Sequence, residues 1–182
     1  MFIETETTPN PATLKFLPGR TVMDQGTANF ADADAATRSP LALRLFGLDG
    51  VTQVFFGADF VTVSKADETA WSELKPAVLG ALVEHFTAGE PLLTGAAAEP
   101  TAAEEDDEVV AQIKELLETR VRPAVAADGG DIIFEAFTDG VVYLQMYGSC
   151  SGCPSSTATL KMGIENLLKH YVPEVVEVQA AQ

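Results

Sequence analysis

Ile132-Ile133-Phe134-Glu135-Ala136-Phe137-Thr138-Asp139-Gly140-Val141-Val142-Tyr143-Leu144-Gln145-Met146-Tyr147-Gly148-Ser149-Cys150-Ser151-Gly152-Cys153-Pro154 is the stretch from which the fold can be read. Two runs of β-formers, 132–137 and 141–147, meet at Asp139-Gly140, and an Asp-Gly pair in such a setting is the strongest short-range hairpin signal. Two cysteines spaced by two residues follow at once. Pro154 suits the first helical position, and beyond it Leu160, Ile164, Leu167, Leu168 and Tyr171 fall on one helical face. Upstream, Val109, Ile113, Leu116, Leu117 and Val121 predict an amphipathic helix that ends before Pro123. A strand over 175–178 closes an α-β-β-α-β unit with the CxxC in its strand-to-helix turn.

Working outward, residues 2–7 and 13–17 read as short strands around Thr8-Pro9-Asn10-Pro11. Ser39-Pro40 has the form of a helix start, Ser as cap and Pro at the first position, with Leu41, Leu45 and Phe46 on one face and an end near Gly47. Residues 51–56 and 60–64 form a second hairpin across Gly57-Ala58-Asp59. A longer helix is expected over 68–86, where Trp71, Leu74, Val78, Leu82 and Phe86 recur at helical spacing, and where Pro76 marks either a kink or a later start. Between the halves, 94–107 consists of small residues, one Pro and an acidic run, the composition of a flexible linker. The expected architecture is α+β in two small domains, 1–94 and 108–182, joined by an acidic linker over 95–107.

With 182 residues and 47% hydrophobic residues, the chain suits a folded protein and excludes a disordered or fibrous one. Its net charge of −16 removes the electrostatic footprint expected of a nucleic-acid binder or a protein that lies on anionic membrane. The acid is spread along the chain, as for solvated faces. No apolar run reaches the roughly 18 residues needed to cross a bilayer, and Met1-Phe2-Ile3-Glu4-Thr5-Glu6 has neither the basic nor the apolar part of a signal peptide. The expectation is a cytoplasmic protein.

Cys150 and Cys153 are the 2 cysteines of the chain. In a reducing compartment such a pair points to metal or redox chemistry rather than to a disulfide framework. The two-residue gap lets both sulfurs face one centre, Gly148 and Gly152 remove bulk from the turn, and the backbone N–H groups of the helix start favour anionic sulfur. Both thiols are therefore expected to be accessible and easily deprotonated. Zinc or iron-sulfur sites usually take four protein ligands. One chain supplies two, so either two chains pool their thiolates or external thiols complete the site. Dithiol-disulfide exchange is the rival, since thioredoxin-like pairs also sit at helix starts; a preceding hairpin in place of a βαβ unit, and no aromatic just before Cys150, favour metal. A zinc-clamped dimer stays open beside these.

The second half resembles the C-terminal domain of NifU-like (Nfu) iron-sulfur scaffold and carrier proteins. The resemblance rests on Asp128-Gly129-Gly130-Asp131, on Gly148-Ser149-Cys150-Ser151-Gly152-Cys153-Pro154-Ser155-Ser156, on Thr159-Leu160 and on Gly163-Ile164-Glu165. The first half is similar to the N-terminal domain found ahead of it, through Thr8-Pro9-Asn10-Pro11, Leu14-Lys15-Phe16, Ser39-Pro40-Leu41-Ala42, Gly50-Val51 and Val54-Phe55-Phe56-Gly57. The resemblance implies that Cys150 and Cys153 of two chains hold one [4Fe-4S] cluster, or a [2Fe-2S] cluster, between them. It implies a homodimer that receives the cluster from upstream donors and passes it to apo-proteins, without enzymatic turnover. The three-cysteine scaffold and ferredoxin-like domains of the larger NifU proteins have no counterpart here, so carriage is expected over assembly. A bacterial cytoplasmic protein fits this pattern, with a processed mitochondrial form as the alternative.

Other residues receive structural expectations. Asp128-Gly129-Gly130-Asp131 reads first as a turn with positive φ, and second as support for the cysteine loop. His85 and His170 are expected at a surface or helix end, Trp71 and Phe55-Phe56 in a core, and Ser149, Ser151, Ser155 and Ser156 as turn and cap hydrogen bonders. Tyr147 either finishes its strand or shields the cysteines.

Overall fold

Thr8-Pro9-Asn10-Pro11 turns the chain by side-chain bonding. Thr8 Oγ1 donates to the carbonyls of Asn10 and Thr13 at 2.8 and 2.9 Å, and Asn10 Oδ1 accepts the Ala12 N–H at 3.0 Å. It joins β1 (Glu4–Thr7) to β2 (Thr13–Leu17), which pair antiparallel. The computed structural model describes residues 1–94, 107–150 and 154–181, and divides into two compact units, Met1–Glu99 and Pro100–Gln182. Residues 95–106 of the linker expected over 95–107, and Ser151, Gly152 and Cys153, lie outside the described residues.

In the first unit, β3 (Ala28–Phe30), a 3-10 turn (Ala35–Arg38), α1 (Pro40–Phe46), β4 (Val51–Phe56), β5 (Val61–Lys65) and α2 (Trp71–Ala88) follow in order. The sheet runs β1-β2-β5-β4-β3 with antiparallel neighbours. Register puts Phe16, Val61, Phe56 and Ala28 in one row and Leu14, Val63, Val54 and Phe30 in another, the same face of the sheet. That face packs with Leu41 and Leu45 of α1 and Leu74, Val78 and Leu82 of α2 in a single core. Ser39 caps α1 as expected, its side chain accepting the Ala42 N–H at 3.1 Å, and its hydroxyl also donates to the Leu92 carbonyl at 2.6 Å. The helix α2 starts at Trp71, three residues after the expected 68, and includes Pro76, so it does not begin at the proline. Strand β3 was not anticipated: it has three residues, and pairing with β4 defines it, not local propensity.

In the second unit Asp107 caps α3 (Glu108–Leu116) through a bond from the Glu108 N–H at 3.0 Å. The predicted stop before Pro123 is wrong. The chain passes through a π turn over Leu117–Val121 and continues as α4 (Arg122–Ala127), with Pro123 in the first turn of that last segment. The turn is wider by one residue just ahead of the ring, the Arg122 N–H bonding the Leu117 carbonyl five residues back. The predicted hairpin forms as β6 (Gly130–Thr138) and β7 (Val141–Gly148), with Asp139 at φ 52° and Gly140 at φ 80°. Two successive positive φ values match the right-handed twist of the strands. After α5 (Pro154–Tyr171), β8 (Glu177–Ala180) pairs parallel to β7 and gives the order β6-β7-β8. It begins two residues later than predicted, because the N–H groups of Val176 and Glu177 are first taken by the Gly140 carbonyl at the hairpin tip. Ile113, Leu117, Val121, Ile132, Val142, Leu144, Ile164, Leu168 and Val178 form the core between sheet and helices.

Candidate metal centre

The alternation of β7 carries Val142 and Leu144 into the core and ends at Gly148, whose partner across the ladder is Gly130. Ser149 and Cys150 follow directly. The Ser149 N–H bonds the Gly129 carbonyl at 3.2 Å, and the Ser149 hydroxyl donates to the Asp128 carbonyl at 2.5 Å. From the other side, Thr157 Oγ1 of α5 donates to the Cys150 carbonyl at 3.1 Å. Cys150 is thus held between the segment that starts β6 and the first turns of α5.

Both readings of Asp128-Gly129-Gly130-Asp131 hold. Gly129 has φ 81°, the positive-φ turn, and the same segment supports the cysteine loop. A Cβ on Gly130 would fall 2.4 Å from Cys150 Sγ, 2.9 Å from the Tyr147 carbonyl oxygen and 3.1 Å from the Cys150 nitrogen. Asp131, only 3% exposed, accepts from Arg122 Nε and Nη2 at 2.8 and 2.9 Å and from its neighbour's Ile132 N–H at 2.8 Å. This fork ties α4 to the start of β6 and holds Arg122 protonated above its usual range, chiefly through the hydrogen bond from Arg122 to Asp131. Arg122 and Thr157 carry no motif of their own in the sequence; the carboxylate of Asp131, inside a quoted segment, was the available signal.

The expectation of an accessible, easily ionised thiol is corrected for Cys150. It is 6% exposed and part of the hydrophobic core of its unit. Desolvation is the leading cause that pushes its thiol up to about 11; the Ser149 hydrogen bond opposes this, and the carboxylates of Asp128 and Asp131 add to it. The sulfur faces Gly130, not water, so burial outweighs the helix start. Cys153 lies outside the described residues. Among the described residues no group of three or more His, Cys, Asp or Glu side chains can hold a metal ion.

The remaining expectations divide. Ser149 is a turn bonder as expected, Phe55 and Phe56 are buried, and His170 is exposed on α5. Trp71 is only half-buried, its indole N–H donating to the Pro11 carbonyl at 3.2 Å. Tyr147 ends its strand with its hydroxyl bonded to Gln145. His85 lies in the last turn of α2, as the helix-end reading expects, but not at a surface: it is 1% exposed on the core side of the helix, its Nδ1 3.5 Å from Glu90, and burial pushes its pKa down.

Comparison with known proteins finds a family match in each unit. The family described as Scaffold protein Nfu/NifU N terminal matches residues 3–89, and the NifU-like domain matches residues 113–179. The chain is 54% identical over 185 residues to NifU-like protein 4, mitochondrial, of Arabidopsis thaliana, covering 98% of this chain and 65% of that protein. It is 52% identical over 181 residues to NFU1 iron-sulfur cluster scaffold homolog, mitochondrial, of Homo sapiens, covering 98% of this chain and 71% of that protein. A solution structure of a NifU-like protein from Saccharomyces cerevisiae matches at 26% identity and a TM-score of 0.48, over 53% of this chain and 87% of that one. A two-domain α+β chain with a cysteine pair between a hairpin and a helix is thus the class defined by fold and site, and the chain belongs to the Nfu family of NifU-like scaffold proteins. It spans 65% and 71% of the lengths of the two named relatives.

Proposed function

We propose that the protein is an iron-sulfur cluster carrier in which Cys150 and Cys153 of two chains hold a shared [4Fe-4S] cluster, or a [2Fe-2S] cluster, as cargo for delivery to apo-proteins. The observation that carries the reading is the CxxC at the β7–α5 turn of a NifU-like domain, in a relative of a protein named as an iron-sulfur cluster scaffold homolog. The donor set fits the cargo: thiolates are the soft ligands that iron-sulfur clusters take. One chain provides two of the four, so a symmetric site requires a second copy, and a twofold axis through the cluster is the simplest arrangement. Delivery then proceeds by ligand exchange, an incoming client thiolate replacing a carrier thiolate at iron. Such exchange alters ligands without turning over a substrate, so the protein works as a carrier and not as an enzyme.

In this reading residues 108–182 form the cluster domain, residues 1–94 choose or dock clients, and the acidic stretch 95–107 lets one domain reach while the other stays docked. Upstream donors load it, and a reducing compartment, bacterial cytoplasm or mitochondrial matrix, keeps the thiols available.

Anaerobic reconstitution with iron and sulfide tests it, followed by visible spectrum, iron and sulfide content and size. A brown dimer with about two irons per chain supports a shared [4Fe-4S] cluster, and about one supports [2Fe-2S]. A colourless chain cycling between dithiol and disulfide overturns the reading in favour of redox exchange, and a colourless zinc dimer in favour of a structural clamp.

A further inference from the structure

Cys150 is held in place by features that carry no ligand themselves. The absent side chain of Gly130 leaves the space where the sulfur sits: a Cβ there would lie 2.4 Å from Sγ, closer than real contacts allow. The Ser149 hydroxyl and N–H fasten the preceding residue to the Asp128 and Gly129 carbonyls. Thr157 of α5 fastens the Cys150 carbonyl from the opposite side. With 6% of its surface exposed, Cys150 belongs to the hydrophobic core of its unit. In this position little of the residue meets water.

We propose that Gly130 and Ser149 are positioning residues that seat the Cys150 sulfur in the core of the metal-free domain, so that the sulfur accepts a ligand only after this seat opens. Built on the cluster-carrier reading, the seat adds a protected state: a carrier without cargo keeps one of its two thiols out of reach of oxidants and stray metal, and loading includes a local opening. Local openings of this kind occur without global unfolding when few bonds hold a segment. Here the holding bonds include those from Ser149 to the Asp128 and Gly129 carbonyls and that from Thr157 to the Cys150 carbonyl, with the fit of sulfur against Gly130 beside them.

The test is the alkylation rate of Cys150 in metal-free full-length chain carrying Cys153→Ser, so that a single thiol reports, read by mass spectrometry with iodoacetamide as probe. The seated thiol reacts at least about tenfold slower than the same chain in denaturant, as expected for a group reached only through opening. Adding Gly130→Ala, which evicts the sulfur, and separately Ser149→Ala, which removes a hydroxyl bond without adding bulk, each speeds alkylation severalfold while circular dichroism and the melting transition of the second unit persist. Where Gly130→Ala fails to fold, Ser149→Ala decides. A native-state rate equal to the denatured rate overturns the proposal, as does a folded Ser149→Ala chain that reacts no faster. The measurement is made without iron or sulfide, so failure of the seat and failure of cluster binding are separate results.

Discussion

Replacing Asp131 by alanine leaves the Arg122 guanidinium without the carboxylate that grips it through two parallel bonds of 2.8 and 2.9 Å. The Ile132 N–H loses its acceptor in the same step. Breaking a buried ion pair by removing one partner costs about 3–5 kcal/mol, because the surviving charge stays desolvated. Arg122 keeps 31% of its side-chain surface and can turn toward water and Glu118, 3.9 Å away, so the lower end applies, about 3 kcal/mol. In a domain of this size each kcal/mol lowers the melting temperature by about 4–8 °C, which puts the shift beyond roughly 12 °C. The chain reads out its own units: Trp71, the 1 Trp of the sequence, belongs to the first, and Tyr143, Tyr147 and Tyr171, its 3 Tyr, to the second. Thermal unfolding followed separately by tryptophan and tyrosine emission should show the loss in the tyrosine transition and leave the tryptophan transition in place. A tyrosine-detected loss below about 1 kcal/mol would refute the assignment of Asp131 as the tie between α4 and β6, since that is the range of an exposed pair.

Three other outcomes follow from the same geometry. His85 is buried and its folded pKa lies below the ordinary value of 6.5, so below that pH the unfolded chain binds the extra proton first and stability is lost as pH falls; Glu90 and Arg44 face the ring, and Glu84 pairs with Arg44. The tryptophan-detected denaturation midpoint should therefore drop from about pH 7 to pH 5 in the native chain and lose part of that slope in His85→Gln; an unchanged slope rejects the assignment. Gly140→Ala places a methyl 2.8 Å from Val176 and 3.1 Å from the Glu174 carbonyl at a φ of 80°, and should destabilise the second unit by about 1–3 kcal/mol in urea unfolding, a neutral result counting against the tip packing. Cys150→Ser and Cys153→Ser should each abolish iron retention after reconstitution while the chain stays folded, with Cys150→Ser costing about 1 kcal/mol for a hydroxyl set in the core; wild-type iron content in either variant removes that residue from the ligand set.

Several elements were legible because their signals act within a few residues. Asp139-Gly140 names its own turn and Ser39-Pro40 its own cap. Illegible elements depend on partners distant in the chain. Strand β3 exists because β4 offers it a ladder, the helix survives Pro123 through a π turn that packs Leu117 and Val121 into the core, and β8 starts where the Gly140 carbonyl releases the chain. His85 went inward because α2 turns that face toward the sheet, a fact of packing that a lone histidine in a helical run does not announce.

The α+β class, both hairpins, the family resemblance and the cysteine pair proposed as ligands can be read from the chain alone, since turn chemistry, periodicity and residue type are local properties. The state of Cys150 depends on packing between distant segments. A glycine at the start of one strand, a serine just after the next and a threonine on the following helix meet around this residue, and burial there outweighs the helix start that favoured an ionised, open thiol. Desolvation depends on every atom within reach of the group, and those atoms come from positions 128 to 157 brought together by the fold.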